Sequence, residues 1–145
     1  MTIASLAPAD RDAAVALWHE CGLTRPWNEA GADFDRALAA PHAAVLGARD
    51  EGEALIGTVM VGEDGHRGWL YYLGVDPAAR RRGTARALTA AAEAWLAARG
   101  VPKVQLMVRH DNADAATFYA ALGYEEAEVT VLARRLDEIG TTGEG

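Results

Sequence analysis

Between Trp69 and Val108 the sequence reads strand, helix, strand, and this order restricts the fold more than any other feature of the chain. Trp69 to Val75 is an apolar run of strand length. Gly83 to Arg99 then recurs at helical spacing, with Ala85, Leu88, Ala92 and Trp95 on one face. Gly100 and Pro102 end that helix ahead of a second strand, Lys103 to Val108. Strand, helix and strand in this order imply a right-handed crossover and a parallel pair. The class expected is α/β.

The turn that joins the first strand to the helix is Arg80-Arg81-Arg82-Gly83-Thr84-Ala85. Backbone N–H groups at a helix start, the positive end of the helix dipole and three guanidiniums all favour an anion there, and the small residues leave the backbone open to it. The alternative is a solvated charge run at a helix start. A formal net charge of −7 makes the three arginines a local positive spot on an acidic molecule, which argues against nucleic acid and for a compact polyphosphate.

The remainder reads as strands and helices of one ordinary domain, residues 1–138, because 145 residues of half-hydrophobic composition suffice for a single core. Thr2 to Leu6 is a strand. Pro8 and Asp10 open a helix carrying Ala14, Leu17, Trp18 and Cys21 that stops at Gly22; a second helix, Ala30 to Ala40, turns Phe34 and Leu38 inward and ends at Pro41. The polar and aromatic loop Thr24 to Asn28 lies between them. Ala43 to Ala48 and Ala54 to Val61 read as a hairpin around Asp50 to Glu53, and Glu63 to Gly68 as a second turn, so an antiparallel meander leads into Trp69 to Val75. Asn112 suits the N-cap of a further helix with Ala115, Phe118 and Leu122 inward and Gly123 at its C-terminal stop, and Glu128 to Leu136 reads as a last strand. The tail, residues 139–145, has nothing to bury and is expected to be disordered.

No segment has the apolar length of a membrane span, and the first residues are too short and uncharged for a signal sequence, so a cytoplasmic protein without membrane contact is expected. One cysteine, Cys21, and four scattered histidines give no metal-ligand spacing, and no metal is expected.

Two motifs then carry a resemblance. Arg80, Gly83 and Ala85 meet the pattern Gln/Arg-x-x-Gly-x-Gly/Ala, and Asn112, Ala115, Phe118, Tyr119, Gly123 and Tyr124 meet Asn-x-x-Ala-x-x-Phe-Tyr-x-x-x-Gly-Phe/Tyr. In this order and over nearly the whole length, the chain resembles the GCN5-related N-acetyltransferases (GNAT), which move an acetyl group from acetyl-CoA to an amine. Arg-Pro-Trp-Asn, Asp-Gly-His-Arg-Gly and Tyr-Tyr-Leu-Gly-Val are similar to the small bacterial YpeA-type members. The resemblance implies a mixed sheet of about six to seven strands, mostly antiparallel with one splayed parallel pair, and about four flanking helices.

It also implies roles. The pyrophosphate of acetyl-CoA would lie on Arg80, Arg81, Arg82, Gly83, Thr84 and Ala85, and the pantetheine arm on backbone groups of Leu73, Gly74 and Val75, with Asn112 as a further cofactor contact. Tyr119 would give a proton to the departing thiolate. The strand position where some members place a glutamate base is Trp69, which leaves Glu63, Asp64 and His66 in the preceding turn as candidates for a base. Arg25 and Trp27 are candidates for the acceptor side. Acetylation of a primary amine on a small molecule, peptide or protein by direct attack is the leading reading, and a catalytically silent CoA-binding sensor or interaction module is the alternative. An unrelated nucleotide-binding α/β protein would need a phosphate motif this chain lacks. The acidic balance favours cationic acceptors by long-range attraction. The edge of the last strand, around Val129 to Leu132, leaves room for a homodimer.

Overall fold

A computed structural model describes residues 1–137, and contacts divide the chain into a unit from Met1 to Arg109 and a second that begins at His110. The first contains the whole sheet. Its elements are β1 (Thr2–Ser5), α1 (Arg11–Glu20), α2 (Ala30–Ala39), β2 (Ala43–Arg49), β3 (Leu55–Glu63), β4 (Gly68–Val75), α3 (Thr84–Ala98) and β5 (Val104–Leu106), with single 3-10 turns at Pro8–Asp10 and Pro77–Ala79. Strands lie in the order β1-β2-β3-β4-β5; the first three pairings are antiparallel and β4 with β5 is parallel. The α/β class and the parallel pair agree with the sequence.

Both faces of the sheet are covered, which explains why β2 and β3 are apolar almost throughout rather than alternating with polar residues. On one face Leu88, Ala92 and Leu96 of α3 pack against Val59, Val61 and Leu70. These three helix residues follow the four-residue spacing of one helix face. Leu96 takes the buried place expected of Trp95, which is half-buried with the Arg99 guanidinium 3.7 Å from its ring centre. On the other face Ala14 and Trp18 of α1, Phe34 and Ala37 of α2, and Val45 form a second core.

The second unit contains α4 (Ala113–Ala121), capped by Asn112 Oδ1, which accepts from the Ala115 amide at 3.1 Å. Its inward residues prove half-buried, with Phe118, Tyr119 and Tyr124 in edge-to-face contact at 5.1 and 5.5 Å. The strand expected over Glu128 to Leu136 does not form: this stretch pairs with no strand among the described residues, and Val129, Val131, Leu132 and Leu136 are exposed. Alternation supplies a strand with a face but not with a ladder partner. The sheet therefore has five strands among the described residues instead of six to seven. The expected disordered tail lies outside them.

Candidate functional site

The parallel ladder is short. β4 pairs with β5 only from Gly68 to Leu70, against Val104 to Leu106, while β4 itself runs on to Val75. From Tyr71 onward that side of β4 has no strand partner among the described residues, which leaves backbone groups there outside any ladder. This is the divergence expected from the resemblance, and it leaves Leu73, Gly74 and Val75 without a ladder partner on that side, although Gly74 and Val75 are buried.

A bulge lies in the same segment. Thr58 pairs with Gly74 and Met60 with Tyr71, so Tyr72 and Leu73 together oppose Val59 alone. Tyr72 sits at φ +52°, in the left-handed region that a large side chain adopts at a cost of about 1–3 kcal/mol. Three contacts hold it there. The ring stacks on Trp18 with centroids 3.9 Å apart; the Trp18 indole N–H donates to Thr58 Oγ1 at 2.8 Å; and the Thr58 hydroxyl donates to the Tyr72 carbonyl at 2.9 Å. Burial first, then the bond to Asp33 and its charge, push the Tyr72 phenol well above its ordinary range, so it is protonated at neutral pH.

Gly74 follows the bulge. A Cβ there would stand 2.9 Å from Leu23 Cδ1 and 3.1 Å from Cys21 Sγ, so its smallness lets the end of α1 pack onto β4. The Cys21 thiol, raised by burial, donates to the Val75 carbonyl at 3.4 Å.

Beyond β4, Asp76 Oδ1 accepts from the Ala78 amide and fixes the 3-10 turn, and Arg80 Nε donates to the Val75 carbonyl at 3.3 Å. Arg81 at φ +67° and Gly83 at φ +76° then reverse the chain into α3. Gly83 is the N-cap, and no side chain caps the helix. The first amides of α3 are thus left for another acceptor. Beside them, Thr84 Oγ1 is buried without a hydrogen-bond partner. Arg80, Arg81 and Arg82 are exposed around this helix start, joined by Arg86, which the sequence reading did not single out. An uncapped helix end, a buried orphan hydroxyl and four exposed guanidiniums fit a phosphate group.

On the α1/α2 face a cavity of about 510 Å³ opens beside the bulge, lined by Tyr71 and Tyr72 of β4, Met60 of β3 and Asp33, Arg36 and Ala37 of α2 among others. Asp33 Oδ2 accepts from the Tyr72 hydroxyl at 2.7 Å and Oδ1 from Arg36 at 2.7 Å. Neither Asp33 nor Tyr72 was singled out by sequence. Asp33 is one carboxylate among many on an amphipathic helix, and a bulge leaves no periodic signature.

The other acceptor-side and base candidates do not line this cavity. Arg25 donates to the carbonyls of Gly22 and Thr24 and so shapes its own loop. Trp27 is exposed, and the lining instead includes its neighbour Asn28. Glu63 and Asp64 organise the turn before β4: Glu63 Oε1 accepts from Gly65, and Asp64 accepts from the His66 and Arg67 amides and the Trp69 indole. The Arg67 amide, then the His66 amide, hold the Asp64 carboxyl below its usual range, which weakens it as a base. His66 is exposed at the tip.

In the second unit, burial pushes the Tyr119 phenol up to about 12. It is therefore protonated throughout the physiological range, as a proton donor must be, though it is a weaker acid than an exposed tyrosine. Among the described residues no His, Cys, Asp and Glu cluster has the arrangement of a metal site, and no helix is long and apolar enough to cross a membrane.

Comparison with known proteins bears on this geometry. A family model described as the Acetyltransferase (GNAT) family matches residues 6–124. Acetyltransferase ECA0875 of Pectobacterium atrosepticum is 46% identical over 129 residues, covering 89% of this chain and 91% of its own length. Two solved structures share the fold. The aminoglycoside N-acetyltransferase AAC(6')-Iy in complex with CoA matches with a TM-score of 0.79 and 23% identity, over 93% of this chain and 94% of its own. Ribosomal-protein-alanine N-acetyltransferase from Brucella melitensis matches with a TM-score of 0.74 and 21% identity, over 94% of this chain and all of its own.

Proposed function

The chain belongs to the GNAT acetyltransferase family, and from that premise we propose that it transfers the acetyl group of acetyl-CoA to a primary amine seated in the cavity beside the β4 bulge. The observation that carries this reading is the start of α3, where free helix amides and the buried Thr84 hydroxyl, with no protein partner, form a receptor for phosphate. A CoA complex of a structural neighbour supports the same choice of donor.

In this reading the pyrophosphate lies on the amides from Arg81 to Ala85, with Arg80, Arg82 and Arg86 adding charge at the rim. The pantetheine arm extends the sheet along the unpaired side of β4, using backbone groups of Leu73 to Val75. The thioester supplies the activated acetyl carbon. An amide N–H near Val75 stabilises the oxygen that becomes negative as the amine nitrogen attacks. The C–S bond breaks as the new C–N bond is completed. Tyr119 is assigned the proton for the departing thiolate on its motif and its protonation, and Asn112 a cofactor contact in addition to its cap. The proton lost by the amine passes to solvent, which restores the phenol.

Calorimetric titration with acetyl-CoA and CoA, beside a thiol-release assay on a panel of amines and basic peptides, tests the proposal. Micromolar binding with release on one acceptor class is expected. Binding without release on any amine would favour the silent CoA-binding module, and no binding would overturn the cofactor assignment.

A further inference from the structure

We infer that the acceptor is a primary amine on a compact apolar body, an alkylamine or arylalkylamine, rather than a polycation. This rests on the acetyltransferase reading above and specifies its acceptor. The overall negative charge points toward polycations, but the cavity does not repeat it. Asp33 is the one carboxylate among its lining residues, and both of its oxygens are already engaged, one by the Arg36 guanidinium and one by the Tyr72 hydroxyl. The charge offered to a ligand is thus compensated before the ligand arrives. Apart from Asn28 and His42, the rest of the wall is aliphatic and aromatic, with Leu23, Met60, Ala37, Ala40, Ala43 and Tyr71, and no further anion.

A polycation binds tightly where several carboxylates match its spacing. Its extra ammonium groups would here lose hydration against apolar walls without an unpaired anion in return. A single amine avoids that cost. Tyr72 Oη donates its proton to Asp33 and keeps a lone pair with which to accept an N–H of the substrate, so the nitrogen's own lone pair is left free to attack. Tyr72 is also the residue immediately before Leu73, where the unpaired edge of β4 continues. Apolar surroundings lower the pKa of the entering ammonium and enlarge its neutral, nucleophilic fraction. The cavity itself therefore does part of the work for which the sequence offered no well-placed base.

The test is a series of straight-chain amines from propylamine to heptylamine, with phenethylamine and spermidine, assayed by thiol release while acetyl-CoA binding is followed by calorimetry on the same protein. Each methylene is expected to raise kcat/KM about fourfold until the cavity is full, from the usual gain on burying a CH₂. Spermidine should fall below hexylamine. Met60→Ala should move the optimum toward longer chains, a shift that general damage to the fold would not produce. A flat chain-length series, or spermidine outrunning hexylamine, overturns the inference. Acetyl-CoA binding without turnover of any of these amines overturns it alone, whereas loss of acetyl-CoA binding strikes the proposed function first.

Discussion

The Tyr72 hydroxyl donates a 2.7 Å hydrogen bond to Asp33 Oδ2, tying the bulge of β4 to the first turn of α2. It joins a strained strand residue to the helix that forms the opposite wall of the cavity. Tyr72→Phe keeps the stack on Trp18 and removes only this bond, leaving Asp33 to Arg36 and water. A loss of about 1–2 kcal/mol in urea denaturation is expected. With an alkylamine, KM should rise more than kcat falls, because the bond positions the acceptor. An unchanged KM would separate the pair from acceptor binding.

Thr84→Val is expected to act with opposite signs on fold and ligand. The Thr84 hydroxyl is buried with no partner, so an isosteric methyl removes a desolvated group and should stabilise the free protein by about 1 kcal/mol. Acetyl-CoA affinity should fall by roughly tenfold, the size of one lost hydrogen bond to a charged group. Thermal unfolding with and without acetyl-CoA reads both effects, and a variant that binds as well as the parent would remove Thr84 from the phosphate site.

At Gly83 the space a side chain would enter is open, since a Cβ there meets nothing within 4 Å; the constraint is φ +76°. Gly83→Ala should therefore cost only about 1 kcal/mol of stability. Gly83→Glu adds a carboxylate at an uncapped helix start, where it offsets part of that cost through the helix dipole and competes with phosphate. Calorimetry should show near-complete loss of acetyl-CoA binding in a protein that still melts cooperatively.

Tyr119, raised by burial to about 12, predicts a pH window. The unfolded phenol ionises near its ordinary value of about 10, so between roughly 10 and 12 the unfolded chain holds fewer protons than the folded one. The stability tied to neutral Tyr119 is complete below pH 10 and is lost as pH rises toward 12. A phenolate absorbance titration should lose its transition near pH 12 in Tyr119→Phe, while the still higher one of Tyr72 remains. That variant should also keep acetyl-CoA affinity while kcat drops at saturating substrate. Full kcat in Tyr119→Phe would remove the phenol as the acid.

Much of this was legible in residue spacing. The Leu88 and Ala92 face, the Asn112 cap and the helix boundaries at Gly22, Gly83 and Gly123 are local signals, and each element they predict is present, though Leu96 rather than Trp95 completes the buried face. What failed or was missed depends on partners distant in sequence. Whether Glu128 to Leu136 forms a strand is decided by a ladder neighbour, and the Tyr72 bulge by the register of β3 against β4. Asp33 became a site residue only because Tyr72 lies across from it, 39 positions away. Trp69, read as the position of a missing base, instead holds the Asp64 turn through its indole.

The two cores on opposite faces of the sheet also bear on how such a chain diversifies. Residues of α2 and its flanks can be exchanged to accept a new amine while the α3 start on the other face is left as it is. Grafting residues 23–43 from a relative should therefore retarget the enzyme without retuning its hold on the donor.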